Sequence, residues 1–181
     1  MASELGVQTI QHTNGTDAVT IDSSGNATFP NRYPKVAIIA DVKAYNVDGG
    51  TFTTGSWQTR DLNTEVTDSD NIVSISSNQF TLGAGTYIIE WSAPGFVVNR
   101  HQSRLYDVTG SASVITGSAS YSSADAEATS RGYVQVVLTA SNTYEIQHRG
   151  EATRASNGFG VKSNFSDSDS RYTQVKITKI A

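Results

Sequence analysis

The residues with chemical potential are few and scattered. The three histidines, His12, His101 and His148, lie far apart, and none stands in a His-x-x-x-His or Glu-containing metal motif. On this pattern His101 and His148 line strands or a subunit contact rather than a catalytic centre. Cysteine is absent, which removes thiol nucleophiles, Cys-based zinc sites and disulfide staples. No Gly-x-Ser-x-Gly elbow or phosphate-cradling loop occurs, and Gly158–Phe159–Gly160 reads as strand punctuation. Two Asp-Ser-Asp triplets, Asp68–Asp70 and Asp167–Asp169, could offer oxygens to calcium, but neither has the Gly and Glu that an EF-hand loop requires. They read as turns whose carboxylates satisfy backbone N–H groups. Arg100, Arg104, Arg131, Arg149, Arg154 and Arg171 fall within or beside strand-like runs, where Arg serves a wet face or an interface. Trp91 ends an apolar strand and belongs to a core. Trp57 sits in a long polar loop, 46–63, where an indole could stack on a sugar ring or pack onto its own domain. No catalytic residue, metal site or cofactor is expected.

Any such groups must be carried by strands. Val and Ile number 28 against 6 for Leu and Met, and this β-branched bias favours sheet over helix. Short apolar runs recur from Lys35 onward, among them Val36–Val42, Ile72–Ile75, Phe80–Leu82, Thr86–Trp91, Phe96–Val98, Ser103–Tyr106, Tyr133–Leu138, Tyr144–Gln147, Phe159–Val161 and Gln174–Ile177. Turn residues separate them, and no apolar i, i+3, i+4, i+7 pattern lasts long enough to specify a helix. The fold class is all-β: a sandwich or barrel of about eight to ten strands. Net charge is −4, without the basic excess of a nucleic-acid-binding domain. No apolar run reaches the roughly 18–20 residues of a membrane helix, and Met1–Ala2–Ser3–Glu4 opens no signal peptide.

Residues 1–34 differ from the rest. Thr9–His12 and Ala18–Ile21 are short β-runs around the turn dipeptide Asn14–Gly15, and Ser23–Asn26 makes a second turn before Ala27–Pro30. Their few apolar side chains, Ile10, Val19, Ile21 and Phe29 among them, cannot enclose a core, and isolated hairpins are marginal in water. The segment is therefore expected to be an attachment arm on something larger, with Pro30 and Pro34 stiffening its join to a body at 35–181. In that body the last strand alternates Tyr172, Gln174 and Lys176 on a wet side with Thr173, Val175 and Ile177 on a dry one. Strands Ile88–Trp91 and Val134–Leu138 are nearly apolar on both sides, as if covered by a neighbouring subunit.

Counting strand reversals places loops 46–55 and 166–170 at the end away from the arm, with 140–142 and 108–110 beside them. Loops 93–95, 118–130 and 151–157 then fall at the arm's end. The far tip would carry Asp48, Asn142, Asp167 and Asp169, a polar group which, with Trp57, forms the candidate ligand-binding or receptor-binding set.

The order Gly85–Thr86–Tyr87, HQSRLYD at 101–107, Gly132–Tyr133, Asn142–His148, Gly158–Gly160 and Tyr172–Ile177 resembles the tumour-necrosis-factor-like jelly roll of complement-type heads and many phage knobs. The resemblance covers roughly the last 145 residues. It implies a two-sheet sandwich of ten strands, with three copies around a threefold axis. Thr20–Phe29 is similar to short β-repeats of bacteriophage tail fibres and other virion appendages. Together these resemblances imply a non-enzymatic virion protein, assembled in the host cytoplasm. Its trimeric knob would hang from the N-terminal arm and recognise a host-surface glycan or protein, while the arm holds other virion proteins. A capsid decoration or cement protein of the same fold is the alternative. A polysaccharide depolymerase would need a catalytic constellation that the sequence does not offer.

Overall fold

A computed structural model describes residues 6–15, 17–29 and 34–181; Pro30, expected to stiffen the join, lies outside them. The chain divides into two compact units, Met1–Pro34 and Lys35–Ala181. All regular structure among the described residues is β.

The first unit is a three-stranded antiparallel sheet of β1 (Thr9–Gln11), β2 (Asp17–Ile21) and β3 (Ala27–Thr28). Gly15 and Gly25 both have φ of 84°, the left-handed turn conformation that glycine adopts without steric cost. Asp22 secures the second turn by accepting hydrogen bonds from the Ser24 and Asn26 amides. Ile10 pairs with Val19, so Ile10, Val19 and Ile21 share one face. Ile10 and Phe29 are each about half exposed.

The second unit is a sandwich of two antiparallel sheets. One has five strands: β12 (Glu127–Leu138), β9 (Gly85–Phe96), β14 (Ser170–Lys179), β4 (Lys35–Lys43) and β6 (Thr64–Thr67), in that spatial order. The other runs β11 (Ala112–Ser122), β10 (Asn99–Asp107), β13 (Asn142–Gly150), β8 (Gln79–Leu82) and β7 (Val73–Ser76), with the two-residue β5 (Gln58–Thr59) also on β13. Period-2 alternation sends Ile39, Tyr87, Ile89, Trp91, Val175 and Ile177 inward from the first sheet. They meet Phe80, Leu82, Leu105, Tyr144 and Ile146 from the second. The all-β jelly roll is thus the observed architecture.

The strand registers settle the ends. Lys35 pairs with Lys179 and Lys43 with Ser170, while Phe96 pairs with Glu127 and Gly85 with Leu138. Loops 46–55 and 166–170 do share the Lys43 end: Asp48 accepts from the Lys162 amide and Tyr172 Oη donates to the Val47 carbonyl. The other loops are reversed from expectation. The segments 93–95, 123–126 and 151–157 lie at the Lys43 end, whereas 108–110 and 139–142 lie at the Lys35 end. The cause is Phe159–Val161, which is not a strand. The whole segment 151–169 stays at one end, so every reversal counted through it changes sign.

Phe159 instead packs with Phe52 and Val98 as a second apolar cluster. Its flanking glycines permit close approach: a Cβ on Gly158 would lie 2.5 Å from Phe52 Cβ, and one on Gly160 (φ 135°) 2.3 Å from Tyr172 Cδ1. Of the expected run Phe96–Val98, Phe96 ends β9 and Val97–Val98 form the turn to β10, with Val97 at φ 53°. A β-branched residue is strained there, and it is held by the burial of Val98 and by the Val98 amide donating to Ser122 Oγ. A register shift between Arg171 and Gln174 breaks the expected wet face of β14, so Tyr172 is buried while Gln174 and Lys176 stay exposed.

Candidate functional site

Along β10 the residues alternate strictly. His101, Ser103 and Leu105 point inward and are buried, while Arg100, Gln102, Arg104 and Tyr106 stand on the outward face. Gln147 and Arg149 of β13 join that face beside Arg104 and Gln102. Across it, the Gln58–His148 pairing of β5 with β13 draws in the preceding residue, Trp57. The Arg104 guanidinium then lies 4.2 Å from the Trp57 ring centroid and 4.8 Å from that of Tyr106. Its Nε and Nη2 donate to Gln147 Oε1 at 2.8 and 2.5 Å. Gln147 Nε2 in turn donates to Glu145, which also accepts from Thr59 Oγ1 and Gln79 Nε2. A planar cation fixed by this ladder holds the indole as a rigid plate.

Beside the plate is an open cleft of about 530 Å³, lined by Thr54, Gly55, Trp57, Arg100, Gln102, Arg149 and the carboxylate residue Glu151. The rim is pinned: Thr54 Oγ1 donates to the Gly150 carbonyl and the Thr54 amide donates to Thr153 Oγ1. Gln102 Nε2 donates to the Gly117 carbonyl. Arg100 makes a long, exposed contact to Glu151 at 3.4 Å, a geometry worth little in water. Arg149 makes no ion pair among the described residues. The cleft therefore combines an aromatic plate, an amide and a guanidinium excess in a chain of net charge −4.

Beneath it lies a buried polar cluster. His101 Nδ1 and His148 Nε2 are 2.8 Å apart, while His101 Nε2 and His148 Nδ1 are buried with no hydrogen-bond partner among the described residues. Burial, reinforced by the nearby Arg60 charge, pushes His101 down to about 4 and His148 well below the usual imidazole range. Both rings are neutral at pH 7. Arg60 is fully buried, donates to Thr173 Oγ1, the Pro94 carbonyl and the Phe159 carbonyl, and stacks 4.0 Å over Phe159. Its own pKa falls to about 9 through burial, so it remains charged.

Of the residues singled out from sequence, the structure places Trp57 in this cleft. Asp48 is spent on a loop amide. Asp167 and Asp169 are exposed at the same end as Asp48, in the 166–170 loop. Asn142 opens β13 at the opposite end, paired with Leu82, and is not part of any common tip with them. Asp68 accepts from the Ile72 and Val73 amides, the turn chemistry expected of it. Sequence reasoning passed over Arg100, Gln102 and Arg149 as ligand groups. Their signal was the alternation Arg100–Gln102–Arg104–Tyr106, which is legible as one wet face, but only the β5 crossing shows that Trp57 covers it.

The body is a tumour-necrosis-factor-like jelly roll. It is similar in structure to murine APRIL, with a TM-score of 0.55 at 8% identity, over 82% of this chain and all of that one. It is similar to Eiger TNF from S. frugiperda, with a TM-score of 0.53 at 10% identity, over 83% and 94% of the two chains. It also matches PRD1 vertex protein P5, with a TM-score of 0.51 at 15% identity, over 81% and 97%. No protein-family model and no curated protein matches the sequence.

Proposed function

We propose that this chain is a non-enzymatic virion structural protein, a homotrimeric jelly-roll knob that recognises the host surface and is attached through residues 1–34. The observation that carries the virion assignment is the likeness of fold to a vertex protein, which covers 81% of this chain and 97% of that one. Trimerisation is supported by the outward face of the five-stranded sheet. Tyr133 is 77% and Val137 68% exposed there, on the same outward face as Ile88 of β9 and Val36 and Ile38 of β4. Such a face is stabilised by covering it, and a closed oligomer does so without leaving open edges. Three recognition clefts on one axis would gain avidity from high effective concentration even if each were weak.

The arm supports a second reading. Its exposed Ile10 and Phe29 suit a clamp on neighbouring shell subunits, as in a capsid decoration or cement protein. One pair of measurements separates the two. Receptor recognition requires purified trimer to adhere to host cells, with electron microscopy placing it on a tail fibre, spike or vertex. Decoration requires label spread over the capsid shell and no cell binding, with Ile10→Asp/Phe29→Asp abolishing attachment to shells. A monomer at micromolar concentration, or reducing sugar released from host envelope extracts, overturns both.

A further inference from the structure

We infer that the outer-sheet cleft is a binding site for an acidic saccharide, with a pyranose ring on the Trp57 plate and its carboxylate held at Arg149. The inference rests on the host-recognition reading above and specifies the ligand class of that same site. Three features of the cleft point the same way. An indole made rigid by the Arg104–Gln147 ladder offers the flat apolar surface that the C–H face of a sugar ring needs, at little cost in side-chain entropy. Among the described residues no carboxylate pairs with the Arg149 guanidinium, and a guanidinium fork binds a carboxylate in two parallel hydrogen bonds. Arg100 adds a second positive charge, held only by an exposed contact to Glu151 that a ligand carboxylate can displace.

The volume fits the range of small-ligand sites. A neutral sugar would leave Arg149 without a counter-charge, and an inorganic anion would leave Trp57 unused. A nucleic-acid strand is disfavoured because the surrounding chain is acidic overall.

Isothermal titration of the full-length protein with hyaluronan and oligogalacturonate fragments tests this, with maltohexaose and inorganic phosphate as comparisons. Saturable binding of at least one acidic oligosaccharide is expected, weakened as sodium chloride rises from about 50 to 500 mM. Maltohexaose should bind at least about tenfold more weakly, and phosphate should not displace the oligosaccharide at equal concentration. Arg149→Ala and Trp57→Ala should each lower affinity about tenfold or more. Arg149 is exposed, so its variant keeps the fold even if the loss of Trp57 loosens the loop.

Equal affinity for maltohexaose, full displacement by phosphate, or an Arg149→Ala variant that binds like the wild type would each overturn the inference. A cell-adhesion arm separates its failure from that of the broader reading. Wild type and Arg149→Ala adhering equally to host cells removes the saccharide site and leaves host recognition standing. Saturable acidic-oligosaccharide binding without any adhesion removes host recognition and leaves the site.

Discussion

Acid should loosen this protein through one place in its interior. In the folded chain His101 and His148 share a 2.8 Å hydrogen bond, and the Phe52 and His148 ring centroids lie 5.1 Å apart in a T-shaped contact. The fixed charge of Arg60 acts on both. A proton added to either ring places a second cation in that enclosure. Unfolded, both imidazoles titrate near 6.5, whereas folded His101 takes its proton only at about 4. Because the folded-state pKa is depressed, the unfolded chain binds more protons below 6.5. The stabilisation is complete above neutrality and is lost as pH falls from about 6.5 toward 4. At pH 5 an unfolded imidazole is almost fully protonated and folded His101 about one-tenth so, a loss of about 2 kcal/mol relative to pH 8. His148 adds to it with the same sign. The assay is guanidinium-induced unfolding at pH 8, 7, 6 and 5 at fixed protein concentration, comparing wild type with His101→Gln/His148→Phe. Carboxylates common to both chains cancel, so the stability difference between them should move by at least about 2 kcal/mol toward the variant as pH drops. A difference independent of pH from 8 to 5 would refute the reasoning.

Other substitutions probe the frame. Arg60→Leu strands the Pro94 and Phe159 carbonyls and the Thr173 hydroxyl in the interior, so a loss on the order of 3 kcal/mol is expected in the same unfolding assay. In Gly132→Ala the new Cβ would fall 2.1 Å from Trp91 Cζ2, and the ring is tethered by its Nε1 donating to Ser103 Oγ at 2.8 Å. A cost of about 2–3 kcal/mol and an altered near-ultraviolet tryptophan dichroism should follow. Tyr133→Arg combined with Val137→Asp alters only exposed positions. It should leave far-ultraviolet dichroism unchanged while sedimentation velocity shows single subunits; an unchanged trimer mass would move the interface elsewhere.

What the sequence made legible was whatever depends on neighbours a few residues away. β-branched runs and period-2 alternation mark most of the strands of the body, and Asn14–Gly15 marks its turn. The Arg100–Gln102–Arg104–Tyr106 wet face can also be read from spacing alone. Long-range events were hidden. Nothing around Thr59–Arg60–Asp61 announces a buried guanidinium, because its carbonyl acceptors are 34 and 99 positions away. His101 and His148, 47 positions apart, meet only through the register of β10 on β13. Phe159 between two glycines has the local pattern of a strand, yet tertiary packing against Phe52 and Arg60 holds it as a loop. That one substitution of loop for strand moved Asn142 to the wrong end.

The two outward faces of the sandwich have opposite chemistry, and this bears on how one small body could serve two roles. The five-stranded sheet turns Tyr133, Val137, Ile88 and Val36 outward, with the Glu90–Lys176 pair at 2.8 Å among them. Covering such a face removes apolar area from water, while the ion pair fixes register more than it adds affinity. The six-stranded sheet instead turns out a hydrogen-bonded ladder of Glu145, Gln147 and Arg104, with Arg104 stacked on Trp57, and the ladder's polar groups already satisfy one another. A face of that kind gains little by burying against a copy of itself, because its bonds would have to be broken first. On the proposed reading it gains by meeting a hydroxylated, anionic ligand at the indole and at Arg149, whose guanidinium makes no ion pair among the described residues. On the same proposed reading self-association and recognition fall on different sheets, so the subunit contact can be tight without blocking the cleft.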